Sequence, residues 1–210
     1  MAILSDKQIF AAIRERRGSA LSQEDVDAIN AVMYPKTPAL LTLAWGAKVS
    51  PEFRDKVRAI SARLRCDASD LMTCMAWESG RSFSAAVKNM AGSGATGLIQ
   101  FMPTTAQALG TSTTALAGMT AVEQLDWVEK YFQPYKGKLN NLADLYMAIL
   151  WPAGVGKPME YVLWDKDTRP TTYRQNAGLD ANKDEVITKA ECSAKLYAMK
   201  AEGQRAENVG

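Results

Sequence analysis

The chain has 210 residues, 47% hydrophobic and 23% charged, which suits one ordinary globular core and argues against global disorder. A net charge of +2 is too weak to imply a nucleic-acid partner. The chain contains no histidine, so His-based triads and His-ligated zinc are excluded, leaving carboxylates, Lys, Tyr, Ser or a bound ion for any chemistry.

The start, MAILSDKQIF, lacks a basic leader followed by a long apolar run, so synthesis in the cytoplasm without a signal peptide is expected. Ser5 can cap a first helix carrying Ile9, Phe10 and Ile13, and Ser22 a second carrying Val26, Ile29 and Met33. This predicts a helical hairpin over residues 1–45, either a lid or a binding appendage, with Arg14, Arg16 and Arg17 read as a solvated face. The stretch Tyr34 to Gly46, with Pro35 and Pro38, breaks the pattern. Around Ala39 to Ala47 lies the longest apolar-rich stretch, far short of the ~20 residues that span a bilayer, so no membrane span is expected.

Ser50-Pro51 is a cap followed by proline at the first helical position, with Phe53, Val57, Ile60 and Leu64 at helical spacing behind it. A further helix starts near Asp67 or Ser69 and runs to Glu78. Thr120/Glu123 and Thr188/Glu191 have capping-box form, and a helix over Asn141 to Leu150 carries Leu142, Leu145, Tyr146 and Ile149. Strand alternation is scarce, and Gly92 to Ile99 is where a short hairpin is expected. The fold class is mainly α, with at most a very small β-hairpin. Cys66, Cys74 and Cys192 are an odd set without CxxC spacing and read as reduced, mostly buried thiols.

Glu78 ends an apolar helix in Cys-Met-Ala-Trp-Glu-Ser-Gly. Desolvation beside Met75 and Trp77 would raise its pKa, the way a glutamate stays protonated to act as a general acid. A lone glutamate at a helix end is ordinarily just solvated. Downstream, however, Ala91-Gly-Ser-Gly-Ala-Thr-Gly-Leu-Ile-Gln100-Phe-Met-Pro103 is a glycine-rich loop with an amide suited to sugar hydroxyls and acetamido groups. As a bland alternative, it is a tight turn before the helix begun by Thr104-Thr105.

Together these stretches resemble the soluble lytic transglycosylases and goose-type lysozymes. That family carries a catalytic glutamate in E-S-G, then G-L-M-Q, then A-Y-N-A-G-x-G. Here the first is Glu78-Ser79-Gly80 and the second Gly97-Leu98-Ile99-Gln100-Phe101-Met102-Pro103. The third is altered to Leu150-Trp151-Pro152-Ala153-Gly154-Val155-Gly156, so Trp151 stands in place of tyrosine and Pro152 in place of asparagine. The resemblance covers roughly residues 50–165, and the wording is most similar to phage-encoded lysis proteins of this family.

It implies a lysozyme-like catalytic domain over 46–165, acting on peptidoglycan glycan strands after release from the host cytoplasm. Glu78 is the implied catalytic residue, and Ser79, Gly97, Leu98, Gln100, Phe101, Tyr146 and Trp151 are the implied substrate contacts. No cofactor is implied for catalysis, and a monomer is expected. Trp151 lacks a phenolic hydroxyl, which Tyr146, one turn earlier, can supply. Glycoside hydrolysis commonly uses two carboxylates, yet residues 79–122 contain no Asp or Glu. The family's single-acid route to 1,6-anhydro-muramyl ends therefore fits better than muramidase hydrolysis, unless Asp70, Asp144 or Glu123 folds into the cleft. The bland alternatives are a non-catalytic wall-binding or calcium-binding virion protein, and a chitin-directed glycosidase.

The C-terminal extension, 166–210, contains Asp180-Ala-Asn182-Lys-Asp184-Glu-Val186-Ile-Thr188-Lys-Ala-Glu191, which matches a twelve-residue EF-hand loop. Asp180, Asn182, Asp184, the Val186 carbonyl, Thr188 and Glu191 are the oxygen ligands for a structural Ca2+. Glu185 stands where glycine normally permits the sharp turn. Read otherwise, the segment is an acidic turn before a Thr188/Glu191 capping box.

Overall fold

The computed structural model describes residues 42–89 and 92–210. The expected N-terminal hairpin, up to residue 41, therefore lies outside the described residues.

Helix α1 (Pro51–Leu64) starts as its sequence dictates: Ser50 Oγ accepts from the Phe53 amide at 3.2 Å and Pro51 occupies the first position. It buries Phe53, Val57, Ile60 and Leu64 and stops where Arg65 turns left-handed. Helix α2 (Ala68–Glu78) is capped by Asp67, whose carboxylate accepts from the Asp70 amide at 2.8 Å. Residues 70–76 of α2 are buried all round, so this is the central helix of the core.

Short helices α3 (Pro103–Ala108) and α4 (Thr113–Ala117) lead to α5 (Ala121–Phe132), which opens on the Thr120/Glu123 capping box. Helix α6 (Leu142–Leu150), capped by Asn141, is mostly buried. Then come β1 (Val162–Asp165), α7 (Pro170–Asn176), β2 (Val186–Thr188) and α8 (Lys189–Gly203), which begins on the Thr188/Glu191 capping box. The fold is mainly helical, as expected, and among the described residues no helix is long and apolar enough to cross a membrane.

The small sheet is not where the sequence placed it. β1 and β2 pair antiparallel, Trp164 opposite Ile187, whereas Gly92 to Ile99 contributes only isolated bridges through Thr96 to Lys88 and Phe101. With strands of four and three residues, no alternation was there to read.

The C-terminal segment packs onto the rest of the fold: α8 lies against both α2 and α6 through Cys192, Leu196 and Met199. Residues 42–210 form one unit, with no break near 165. Trp45, 1% exposed, donates its indole N–H to the Met199 carbonyl at 3.2 Å. Its ring lies so close to Gly203 that a Cβ there would sit 2.4 Å from the indole nitrogen.

The three thiols are free, Cys74 and Cys192 buried and Cys66 half-buried. Burial pushes Cys66 to about 11 and Cys192 to about 12, and holds Cys74 well above the usual thiol range.

Candidate active site

Glu78 is the last residue of α2. The Ser79 amide closes the helix on the Met75 carbonyl at 2.9 Å, and the chain then turns left-handed at Gly80, Arg81 and Phe83. For Arg81 and Phe83 this backbone is strained, on the order of 1–3 kcal/mol each, and persists only where the surroundings over-determine it. Here they do. Ser79 Oγ accepts from the Phe83 amide at 3.0 Å, and the Phe83 ring meets Phe53 edge-on at 6.0 Å. Arg81 forms a two-pronged pair with Glu202 at 3.1 and 2.7 Å and lies over Trp45. Ser79 is thus a buried brace of the turn, not the surface contact the resemblance implied.

The Glu78 carboxyl makes no hydrogen bond or ion pair among the described residues, and burial alone raises its pKa to about 7. Tyr146 and Tyr131 lie within reach of its charge: both phenols are raised, first by burial, and both also feel Glu78. Tyr131 commits its hydroxyl to the Ala148 carbonyl at 2.7 Å. Tyr146, on α6, has the Trp77 side chain as partner for its hydroxyl.

Among the described residues no second carboxylate joins Glu78. Asp70 is paired with Lys200 at 2.6 Å, Asp144 with Lys189, and Glu123 is held by Thr120 in its capping box. None of the three appears among the influences on Glu78.

The glycine-rich loop is anchored from below by Gln124, a residue the sequence reading missed. Gln124 is fully buried; its Oε1 accepts from the Leu98 amide at 2.7 Å, and its Nε2 donates to the Ala85 and Leu116 carbonyls at 3.1 and 2.9 Å. Its signal was a glutamine on the apolar stripe of α5, three residues after Ala121 and four before Val128.

Gly97, at φ 85°, passes directly over this amide: a Cβ there would sit 2.3 Å from Gln124 Oε1. Gly97→Ala is expected to destabilise the fold by about 2–4 kcal/mol, combining left-handed strain with loss of the Gln124 clamp. Urea titration reads this directly, and an unchanged midpoint would contradict it.

Leu98 and Phe101 are 0% and 2% exposed, so they pack the loop onto the core instead of contacting substrate as expected. Phe101 meets Tyr131, which feels the Glu78 charge, edge-on at 6.1 Å. Gln100, itself left-handed at φ 52°, donates its amide N–H groups to the Gly97 and Val87 carbonyls at 3.1 and 3.3 Å. It holds its own loop, leaving the side-chain oxygen to accept from a ligand.

Trp151 belongs to the C-terminal side. Its ring meets Trp164 edge-on at 5.8 Å and carries the Arg169 guanidinium at 5.0 Å, and its indole nitrogen is buried without a partner. A free stacking face for sugar is therefore reduced to the side opposite Arg169. The loop after Trp151 is fixed by Lys189, a second residue missed in the sequence. Its ammonium, 1% exposed, binds Asp144 at 2.5 Å, the Gly154 carbonyl at 3.1 Å and the Lys157 carbonyl at 2.8 Å. Asp144 in turn accepts from the Gly156 amide at 2.8 Å.

In the 180–191 loop, Asp180 Oδ2 accepts from Tyr173 at 2.7 Å and from the Glu185 amide at 3.0 Å, while Oδ1 is buried without a partner. Asn182 and Asp184 bond to each other, and Asp184 Oδ1 accepts from the Val186 amide at 2.9 Å. Glu185 adopts the left-handed turn, φ 67°, that glycine usually makes at this position. Glu191 accepts from the Thr188 amide and hydroxyl and, at 3.2 Å, from the Ala181 amide. Among the described residues no three acidic or cysteine side chains converge as a metal-binding group.

No protein-family model matches this chain, and comparison with curated proteins and with solved structures likewise finds no match.

Proposed function

We propose that this chain cleaves the β-1,4 bond between N-acetylmuramic acid and N-acetylglucosamine in bacterial peptidoglycan as a lytic transglycosylase of phage-lysis type. The observation that carries the proposal is Glu78 itself: a half-buried carboxyl raised by desolvation to about 7, with no other carboxylate acting on it among the described residues. Such a group holds its proton at neutral pH and is also a competent base once the proton has left.

In this reading Glu78 gives its proton to the glycosidic oxygen as the bond to the muramyl C1 breaks. The 2-acetamido oxygen bonds to C1 and takes up the developing positive charge. Glu78, now a carboxylate, removes the proton from the C6 hydroxyl. O6 attacks C1, the acetamido oxygen departs, and a 1,6-anhydro end forms without water. Tyr146, whose phenol is raised by burial and by the Glu78 charge and so stays neutral, is proposed as the hydroxyl that supports both proton transfers.

Mass spectrometry of digested wall tests this. Fragments ending in 1,6-anhydromuramic acid, one water lighter than hydrolysed ends, are expected. Hydrolysed ends alone would make the chain a muramidase, and binding without soluble fragments would make it a wall-binding protein. Digestion of chitin but not wall would assign it to the chitin-directed alternative.

The 180–191 loop is proposed as a structural Ca2+ site. Its donors are oxygens throughout, and the buried, unpartnered Asp180 Oδ1 and the left-handed turn at Glu185 fit such a loop. Asp180, Asn182, Asp184, the Val186 carbonyl, Thr188 and Glu191 would hold the ion, which would pin the hairpin ahead of α8. Calcium at about a hundred times its Kd is then expected to stabilise the fold by about 2.7 kcal/mol. Calorimetric titration and melting with and without calcium read both effects, and Asp180→Ala should remove them. Silence in both measurements on the unaltered chain ends this proposal.

A further inference from the structure

Residues 79–122 contain no acidic side chain and two cations, Arg81 and Lys88. Arg81 is neutralised by Glu202, whereas Lys88 makes no ion pair among the described residues and stays exposed. Lys88 borders a cleft of about 200 Å3 between the glycine-rich loop and α4, with Thr96, Thr113 and Thr114 around it. Thr96 is 2% exposed and bonded to the Gly94 carbonyl, so its oxygen is fixed as part of the wall. The hydroxyls of Thr113 and Thr114 have no partner among the described residues and can donate.

The two walls are held in register by Gln124, which binds Leu98 and Ala85 on one side and Leu116 on the other. The same loop reaches the Glu78 site through Phe101 and Tyr131. An ammonium without an ion pair among the described residues, flanked by hydroxyl donors in a concavity with no acid in its described lining, is built for a carboxylate.

We infer that this cleft binds a carboxylate carried on the muramyl branch of the glycan strand. Resting on the peptidoglycan reading above, the inference adds a specificity determinant distant from the reacting bond. The sugars themselves are neutral, so the branch supplies the anions: stem-peptide carboxylates where the stem is present, and the lactyl carboxylate where it has been removed.

Binding to soluble glycan strands is measured in the Glu78→Gln background, so that the strands stay intact. Three strand preparations are compared: stem-bearing, amidase-stripped to expose the lactyl carboxylate, and stem-bearing with every carboxyl converted to a methylamide. Lys88→Ala is expected to weaken binding about three- to fivefold at low salt on carboxylate-bearing strands, and not at all on the methylamide form. Lys88→Arg should keep the affinity. A loss confined to stem-bearing strands assigns the cleft to the stem, and a loss confined to stripped strands assigns it to the lactyl group.

Unchanged binding by Lys88→Ala on both carboxylate-bearing preparations, equal loss on the methylamide strands, or no binding to any strand overturns the inference. Cleavage by the unaltered chain is scored separately. Absent cleavage with an intact Lys88 effect therefore removes the reaction and leaves the cleft.

Discussion

Glu78→Gln is expected to lower release of wall fragments by about a thousandfold or more, because one substitution removes both the acid and the base of the reaction. The fold should survive, since the Glu78 side chain makes no hydrogen bond or ion pair among the described residues. Its stability should in fact change with pH in a defined sense. The folded carboxyl titrates at about 7, above its ordinary value of 4.5, so the folded state binds the additional proton. The corresponding stability is complete below about pH 4.5 and lost as pH rises through 7, a difference of up to about 3 kcal/mol. Glutamine carries no charge to bury, so the variant should melt above the parent at pH 8 and level with it at pH 4. The parent's turnover should fall as pH rises through about 7. Residual activity near the parent's level would remove Glu78 from the reaction.

Lys189→Met is expected to be the most damaging single substitution away from Glu78. It leaves the Asp144 carboxylate, 3% exposed, without its counter-ion, and frees the Gly154 and Lys157 carbonyls. Breaking a buried pair on one side costs about 3–5 kcal/mol, or roughly 10 °C in melting temperature for a chain of this size. The paired change Lys189→Met with Asp144→Asn should recover a large part of that loss, since no buried charge then remains. If the single variant melts within a degree of the parent, the ammonium contributes nothing of the kind. Because the pair joins α8 to α6, its loss should also loosen residues 154–157, read as faster amide exchange there than in α2.

Local signals carried the helices well. Ser50-Pro51, Thr120/Glu123, Asn141 and Thr188/Glu191 all start helices in the structure, because a cap is decided by a few neighbouring residues. Between the two candidate caps of α2, Asp67 and not Ser69 takes the role, and the Ser69 hydroxyl instead accepts from the Ala44 amide at 3.1 Å. What the sequence hid was long-range. β1 is joined to β2 across α7, and nothing within Val162–Asp165 announces a partner beyond residue 180. Gln124 and Lys189 look like surface residues by type, and only their places on apolar helical stripes betray them.

The site was legible in part for the same reason. Glu78, Gly97 and Gln100 depend on a short stretch of chain: the structure shows Glu78 desolvated at its helix end, Gly97 packed over Gln124 and Gln100 bonded within its own loop. Leu98, Phe101 and Ser79 turned inward because the loop needs an underside, and a motif read as letters does not say which face a residue takes. Trp151 packs with Trp164 and Arg169, partners that lie later in the chain and that the motif itself does not announce.

The three thiols give this protein a native clock of its own motions. Cys74 lies on the helix that carries Glu78, Cys192 on the helix packed across it, and Cys66 at the half-buried turn between α1 and α2. Thiol reagents attack the thiolate, and burial suppresses it at all three positions, so alkylation proceeds only as fast as each region opens. Mass spectrometry of timed alkylation would then follow fraying near Cys66 separately from rupture of the core beneath Glu78, with no label engineered into the chain.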